Sequence, residues 1–226
     1  MAQFINTVFN CVSLSSIILL TSLGLAITFG LMKVINMAHG EFLMIGAYMT
    51  YVVQNIFEKF FPESMFSLYY FFALAAAFAV TFLLGAVLER FVISRLYGRE
   101  VDSLLATWGI SIILQQAARS IFGMQGVNVK APSFLNGGIT IGACTFSYNR
   151  IFILGMVILC MILVWYIMYR SNFGKQMRAV MQNRAMAQCM GINSRKVDML
   201  TFSFGSGLAG LAGCSVALLG SIDSTI

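Results

Sequence analysis

The residues able to do chemistry are few. Asn36-Met37-Ala38-His39-Gly40-Glu41 places an amide, the chain's single imidazole and a carboxylate close together. His39 and Glu41 would be the natural pair for proton transfer, but no second His and no His-Glu-x-x-His zinc pattern accompanies them. Ser206 sits between two glycines without an evident partner acid or second His for nucleophilic catalysis. An enzyme is disfavoured, and with one His and no clustered carboxylates neither a metal nor a cofactor is expected. A second polar set, Ser103, Thr107, Ser111, Gln115 and Arg119, recurs every fourth residue and therefore shares a helix face, flanked by Trp108 and Gln116.

Each set has two readings. Asn36–Glu41 is a tight turn in which Gly40 supplies a positive φ, or a polar break in the membrane that lines a wet cavity. The stripe borders a permeation path, or it hydrogen-bonds to neighbouring helices while Arg119 reaches the interface. Thr107, Ser111 and Gln115 suit a small neutral solute, whereas a zwitterion calls for charge, which Glu41 or Arg119 would supply. The glycines of Ser203–Gly213 lack the strand and Gly-Lys-Ser/Thr of a phosphate loop. Gly205, Ala209 and Gly213 instead form a small-residue face for close helix packing.

The elements holding these residues are membrane helices. Of the 226 residues 59% are hydrophobic and 10% charged, and the mean hydropathy is +0.87. Soluble domains carry about 25% charged residues, and disorder needs low hydrophobicity. Six apolar stretches, Val8–Met32, Phe42–Phe57, Phe66–Leu88, Ser103–Phe122, Ile151–Tyr169 and Met199–Gly220, contain only one charged residue, Arg119. Crossing the hydrocarbon core takes about 20 residues, so an all-α polytopic bundle is expected. The second span is short from Phe42 and comfortable if helix resumes near Val34. The first run is too long for a cleaved signal peptide. The five cysteines show neither metal spacing nor a disulfide framework.

Basic residues alternate between connections. Glu89–Asp102 holds three and Arg170–Asp198 six, against one in Glu58–Met65 and two in Gly123–Arg150. The positive-inside rule puts the first two, and Lys33–Glu41, in the cytoplasm and the N-terminus outside. The external loop 123–150, rich in Gly, Asn, Ser and Pro, reads as a turn-rich excursion or small hairpin. In the cytoplasmic loop 170–198, a helix is predicted over Gln176–Met190, ending at Gly191, with Asn193 or Ser194 capping the next span. Met177, Val180, Met181 and Ala185 offer apolar surface there, and Arg178 and Arg184 offer charge. The helix lies on the headgroups or docks a protein partner.

Gly30–Tyr48, the Arg178–Ile192 loop and the Gly-rich last span together resemble the permease subunits of branched-chain amino acid ABC importers. Leu104–Gln116, Ile121-Phe122-Gly123 and Ala131–Gly138 are most similar to the urea-importing branch. The resemblance implies one transmembrane permease domain over 1–226, with further spans beyond Ile226. It implies an inner-membrane importer of urea, or alternatively of branched-chain amino acids, working by alternating access; a passive small-solute channel is a third reading. Implied partners are a second homologous permease, cytoplasmic ATP-binding subunits and an external substrate-binding protein. No nucleic acid is implied. Asn36, His39, Glu41, Thr107, Ser111 and Gln115 would line the substrate path. Met177, Arg178, Met181, Arg184 and Gly191 would couple to the ATPase.

Overall fold

The computed structural model describes residues 2–32, 34–60, 68–123, 126–130, 132, 135, 137–141, 144–220 and 222. Long helices α1 (Ala2–Met32), α2 (His39–Phe60), α3 (Tyr69–Phe91), α4 (Glu100–Phe122), α5 (Tyr148–Arg170) and α8 (Ser194–Ala217) form the bundle. The short α6 (Asn172–Gln182) and α7 (Arg184–Cys189) lie between α5 and α8. Strands β1 (Gly138–Ile141) and β2 (Cys144–Ser147) pair antiparallel, Gly138 opposite Ser147 and Ile141 opposite Cys144. The excursion between α4 and α5 thus contains a small hairpin, attached to an otherwise all-α fold.

Helices covering Gln3–Gly30, Tyr69–Arg95, Tyr148–Arg170 and Ser194–Ala217 are long and apolar enough to cross a membrane. Helices α2 and α4, with 22 and 23 residues, have the length, at about 1.5 Å per residue, but carry more polar side chains. Glu41 of α2 and Thr107, Ser111 and Gln115 of α4 are among them and belong to the candidate site.

Helix α8 is the hub, packing against α1, α2 and α3. In a bilayer, helix association depends on close packing more than on apolar burial, and small residues permit it. A Cβ on Gly205 would lie 2.8 Å from the Gly24 carbonyl oxygen of α1. One on Gly210 would lie 2.3 Å from Thr81 Oγ1 of α3, and one on Gly213 would lie 2.0 Å from the Leu43 carbonyl oxygen of α2. Gly205 and Gly213, two members of the small-residue face read from the sequence, thus meet the backbones of α1 and α2, while Gly210, outside that face, makes room for Thr81 of α3. Around it Phe42, Phe202, Tyr69, Tyr70 and Leu20 are fully buried. The Tyr70 hydroxyl donates to the Cys214 carbonyl at 3.2 Å.

The predicted helix over Gln176–Met190 is interrupted. Asn183 adopts an extended conformation (φ −152°, ψ 102°), and its Oδ1 accepts from Met186 N at 3.0 Å, so it caps α7 and separates it from α6. An Asn side chain satisfies the free N–H groups of a new helix better than a continuing helix would use it. Gly191, with φ +82°, follows α7 as expected. Its N–H donates to Gln188 O and Ile192 N–H to Ala187 O, a Schellman closure. Asn193 then caps α8 through Lys196 N. Residues 61–65 of the Glu58–Met65 connection, residues 131, 133, 134 and 136 of Ala131–Gly138, Lys33, and the end beyond Ile222 lie outside the described residues.

Candidate functional site

Between α1 and α2 the chain leaves helical geometry over Val34–Ala38. Asn36 Oδ1 accepts from Ala38 N at 3.1 Å, and Met37 N donates to Thr107 Oγ1 of α4 at 3.1 Å. Both amides are thus satisfied by side chains, so helix restarts at His39 and not near Val34. The Thr107 hydroxyl in turn donates to the Leu104 carbonyl at 3.0 Å and lies 3.4 Å from that of Ile35. The polar run holds a turn at Met37-Ala38 and is a buried interface, but Gly40 lies within α2 and does not supply the positive φ expected of it: Asn36, His39 and Glu41 are 5%, 5% and 7% exposed.

One turn further along α4, Ser111 Oγ donates to Glu41 Oε1 at 2.7 Å and Gln115 Nε2 donates to the same oxygen at 2.8 Å. The i, i+4 spacing of Thr107, Ser111 and Gln115 thus matches the break and first turn of α2, group for group. All six residues expected to line a substrate path come together: Asn36, His39 and Glu41 from the break and Thr107, Ser111 and Gln115 from the stripe. Ser103 is also buried on this face, whereas Trp108 and Gln116 are exposed on the other side of α4.

His39 Nε2 lies 3.0 Å from the Thr21 carbonyl of α1. A carbonyl only accepts, so Nε2 carries hydrogen and a neutral ring presents Nδ1 as a lone pair. His39 Nδ1 and Asn36 Nδ2 are buried without a hydrogen-bond partner. Buried polar atoms are nearly always paired. These two atoms, beside the break that also carries Glu41, are left for water or a polar solute to pair. The proximity of His39 to Gly24, where a Cβ would stand 3.2 Å from the His39 ring, makes α1 a wall of the same site. That pairing of α1 with His39 has no local sequence signal.

The five residues expected to couple to an ATPase separate into different environments. Met181 is half exposed, and Met186 and Met190, which the sequence reading did not single out, are more so at 61% and 76%. Gly191 is exposed. Met177 is buried at 2% and belongs to the core. Arg178 donates to the Met168 carbonyl and stands over the Tyr169 ring at 5.4 Å, which fastens α6 to α5. Arg184 pairs with Asp198 of α8 and covers the Tyr97 ring at 4.9 Å. The Tyr97 hydroxyl donates to Glu89 Oε1 of α3 at 3.1 Å. Burial first, then the Asp198 and Glu89 carboxylates, hold that hydroxyl well above the ordinary tyrosine range. It stays a donor at any working pH. Arg184 thus joins α7 to α3 and α8 and is not free on the surface.

On the opposite end, the excursion after α4 is fixed to α2 and α3. Lys130 N donates to Gln54 Oε1 at 2.9 Å, Lys130 Nζ pairs with Glu58 at 3.0 Å, and the Tyr69 hydroxyl donates to the Lys130 carbonyl. Val127 bridges to Ile222, so the segment after α8 is joined to the same patch. No group of metal-ligating side chains occurs among the described residues.

The family model described as "Branched-chain amino acid transport system / permease component" matches residues 7–225. Similar curated proteins include the high-affinity branched-chain amino acid transport system permease protein BraD of Pseudomonas aeruginosa, 29% identical over 218 residues. That alignment covers 93% of this chain and 69% of BraD. The corresponding protein LivH of Escherichia coli K12 is 28% identical over 229 aligned positions, with the same coverages. A probable branched-chain amino acid transport permease protein LivH of Methanocaldococcus jannaschii is 26% identical, covering 88% of this chain and 62% of the relative. No solved structure matches.

Proposed function

This chain belongs to the family of branched-chain amino acid transport system permease components, and from that premise we propose that it lines a path for branched-chain amino acids across the inner membrane. In this reading a second homologous permease completes the path, and residues 1–226 act as one transmembrane permease domain with the N-terminus outside. An external substrate-binding protein delivers solute to the 123–150 loop. Cytoplasmic ATP-binding subunits dock on the 170–198 loop, where Met181, Met186 and Met190 offer adaptable apolar surface. Permease components are not enzymes; hydrolysis belongs to the ATP-binding subunits.

The observation that carries the reading is the buried set of Asn36, His39 and Glu41 against Thr107, Ser111 and Gln115, with two polar atoms left open. Polar groups at membrane depth are costly and mark solute paths. The α-ammonium of an amino acid suits the Glu41 carboxylate and the His39 Nδ1 lone pair, and its carboxylate suits the Asn36 amide. Urea is the competing substrate, and its support is the Leu104–Gln116 run. The named relatives favour amino acids. Ser111 and Gln115, two of the groups expected to hold urea, are already donating to Glu41.

The test is uptake of labelled leucine and labelled urea in cells carrying the complete operon, with and without this gene. Leucine uptake lost on deletion, and competed by unlabelled leucine but not by urea, supports the proposal. Urea uptake lost with leucine uptake intact overturns the substrate and restores the urea reading. Flux that persists without ATP would favour a passive channel.

A further inference from the structure

A second polar site lies where α3 ends and α8 begins. A cavity of about 840 Å³ opens there between the end of α3, the α3–α4 connection, α7 and the start of α8. Arg90, Arg95, Arg195 and Lys196 line it, with Met199 and Leu200 on one wall. None of the four cations stands in a salt bridge among the described residues. Of the two nearby carboxylates, Asp198 is paired with Arg184, while Glu89 accepts from the neutral Tyr97 hydroxyl and offsets one of the cations. What remains is a concave, polar site in which Arg90, Arg95, Arg195 and Lys196 outnumber the single carboxylate on its wall, Glu89.

Its position narrows the occupant. The cavity sits where the apolar spans Tyr69–Arg95 and Ser194–Ala217 end and begin, which is headgroup depth. Leu83, Val87 and Phe91 are exposed and follow one another by four residues on α3, leading to Arg90. An apolar track ending in a basic cavity matches a molecule with a hydrocarbon tail and an anionic phosphate head. Basic pockets at helix ends bind such heads, with each cation near an anionic surface worth roughly fivefold in affinity. We propose that this cavity binds the phosphate headgroup of an anionic phospholipid, with an acyl chain along the Leu83–Val87–Phe91 face of α3.

The test uses the full-length permease in its assembled, detergent-solubilised transporter, observed by native mass spectrometry during titration with phosphatidylglycerol or phosphatidylcholine. Phosphatidylglycerol is expected to be retained at least about tenfold better, and R90Q/R95Q and R195Q/K196Q each to lower that retention about tenfold or more. R90K/R95K keeps the charge and is expected to keep the preference, which separates loss of the site from loss of the fold. Equal retention of the two lipids by the unaltered transporter overturns the proposal, whatever the variants do. So does retention that the glutamine variants leave unchanged. Displacement of phosphatidylglycerol by millimolar inorganic phosphate would make the site one for a free anion and also overturn the assignment to lipid.

Discussion

The Arg184–Asp198 pair makes the sharpest test of the packing described here, because its two members stand in different surroundings. The Asp198 side chain is 7% exposed and that of Arg184 43%. Arg184→Gln leaves a buried carboxylate without its counter-charge and removes the cation from the Tyr97 ring. Breaking a buried pair this way costs about 3–5 kcal/mol, and the half-exposed arginine reduces that to about 2 kcal/mol. Loss of the ring contact adds about 0.5–1 kcal/mol. Asp198→Asn leaves Arg184 free to turn towards water and costs about 1 kcal/mol or less. The double variant, with no charge left unpaired, should be more stable than Arg184→Gln alone. For a chain of this size 1 kcal/mol corresponds to about 2–4 °C in Tm. Arg184→Gln should therefore lower the apparent Tm of the purified transporter by about 5–12 °C and Asp198→Asn by about 4 °C or less. If Asp198→Asn proves the more damaging, or the double variant loses the sum of the two, the pair is not arranged as described.

Other expectations follow from particular contacts. His39→Ala and Glu41→Ala should each reduce labelled-leucine uptake at least about tenfold with the protein still inserted in the membrane; uptake unchanged in both would make Asn36–Glu41 a turn and nothing more. Gly213→Leu should abolish folded yield, because a Cβ there would already lie 2.0 Å from the Leu43 carbonyl oxygen; Gly109→Leu, with nothing within 4 Å of its Cβ, should leave yield unchanged, read by fluorescence-detected size exclusion. Tyr97→Phe removes the donor to Glu89 but keeps the ring under Arg184, and should cost about 1–3 kcal/mol in the same thermal assay. Met181→Ser, Met186→Ser and Met190→Ser together should leave Tm unchanged while lowering the ATP-binding subunits that co-purify, a loss that Met177→Ser would reproduce only by unfolding the chain.

The sequence made the bundle legible because charge is excluded from lipid: Arg119 alone lies inside the six apolar stretches. The stripe on α4 and the small face of α8 were legible for a similar reason, since one fixed period places each on a single side. What faces the stripe was not. The carboxylate that receives Ser111 and Gln115 lies some seventy residues away, and no local pattern pairs Glu41 with them. The break at Asn183 went unread because Asn is tolerated inside helices as well as favoured at their starts. Arg184 looked like a surface cation for the same lack of long-range information; its partners Tyr97 and Asp198 lie on other elements.

The backbone-to-backbone meeting of α8 with α1, α2 and α3 also sets where this protein yields. Interlocked glycines leave little slack, so those four helices resist sliding past one another. The junction with α4 is mixed: Phe122 stacks on Tyr48 at one end, and over Thr107–Gln115 hydroxyl, amide and carboxylate groups meet that can equally pair with water or a solute. Such bonds can be exchanged one at a time without opening a void. Of the contacts that α4 makes, those of the polar seam are the ones that water or a solute can replace group for group.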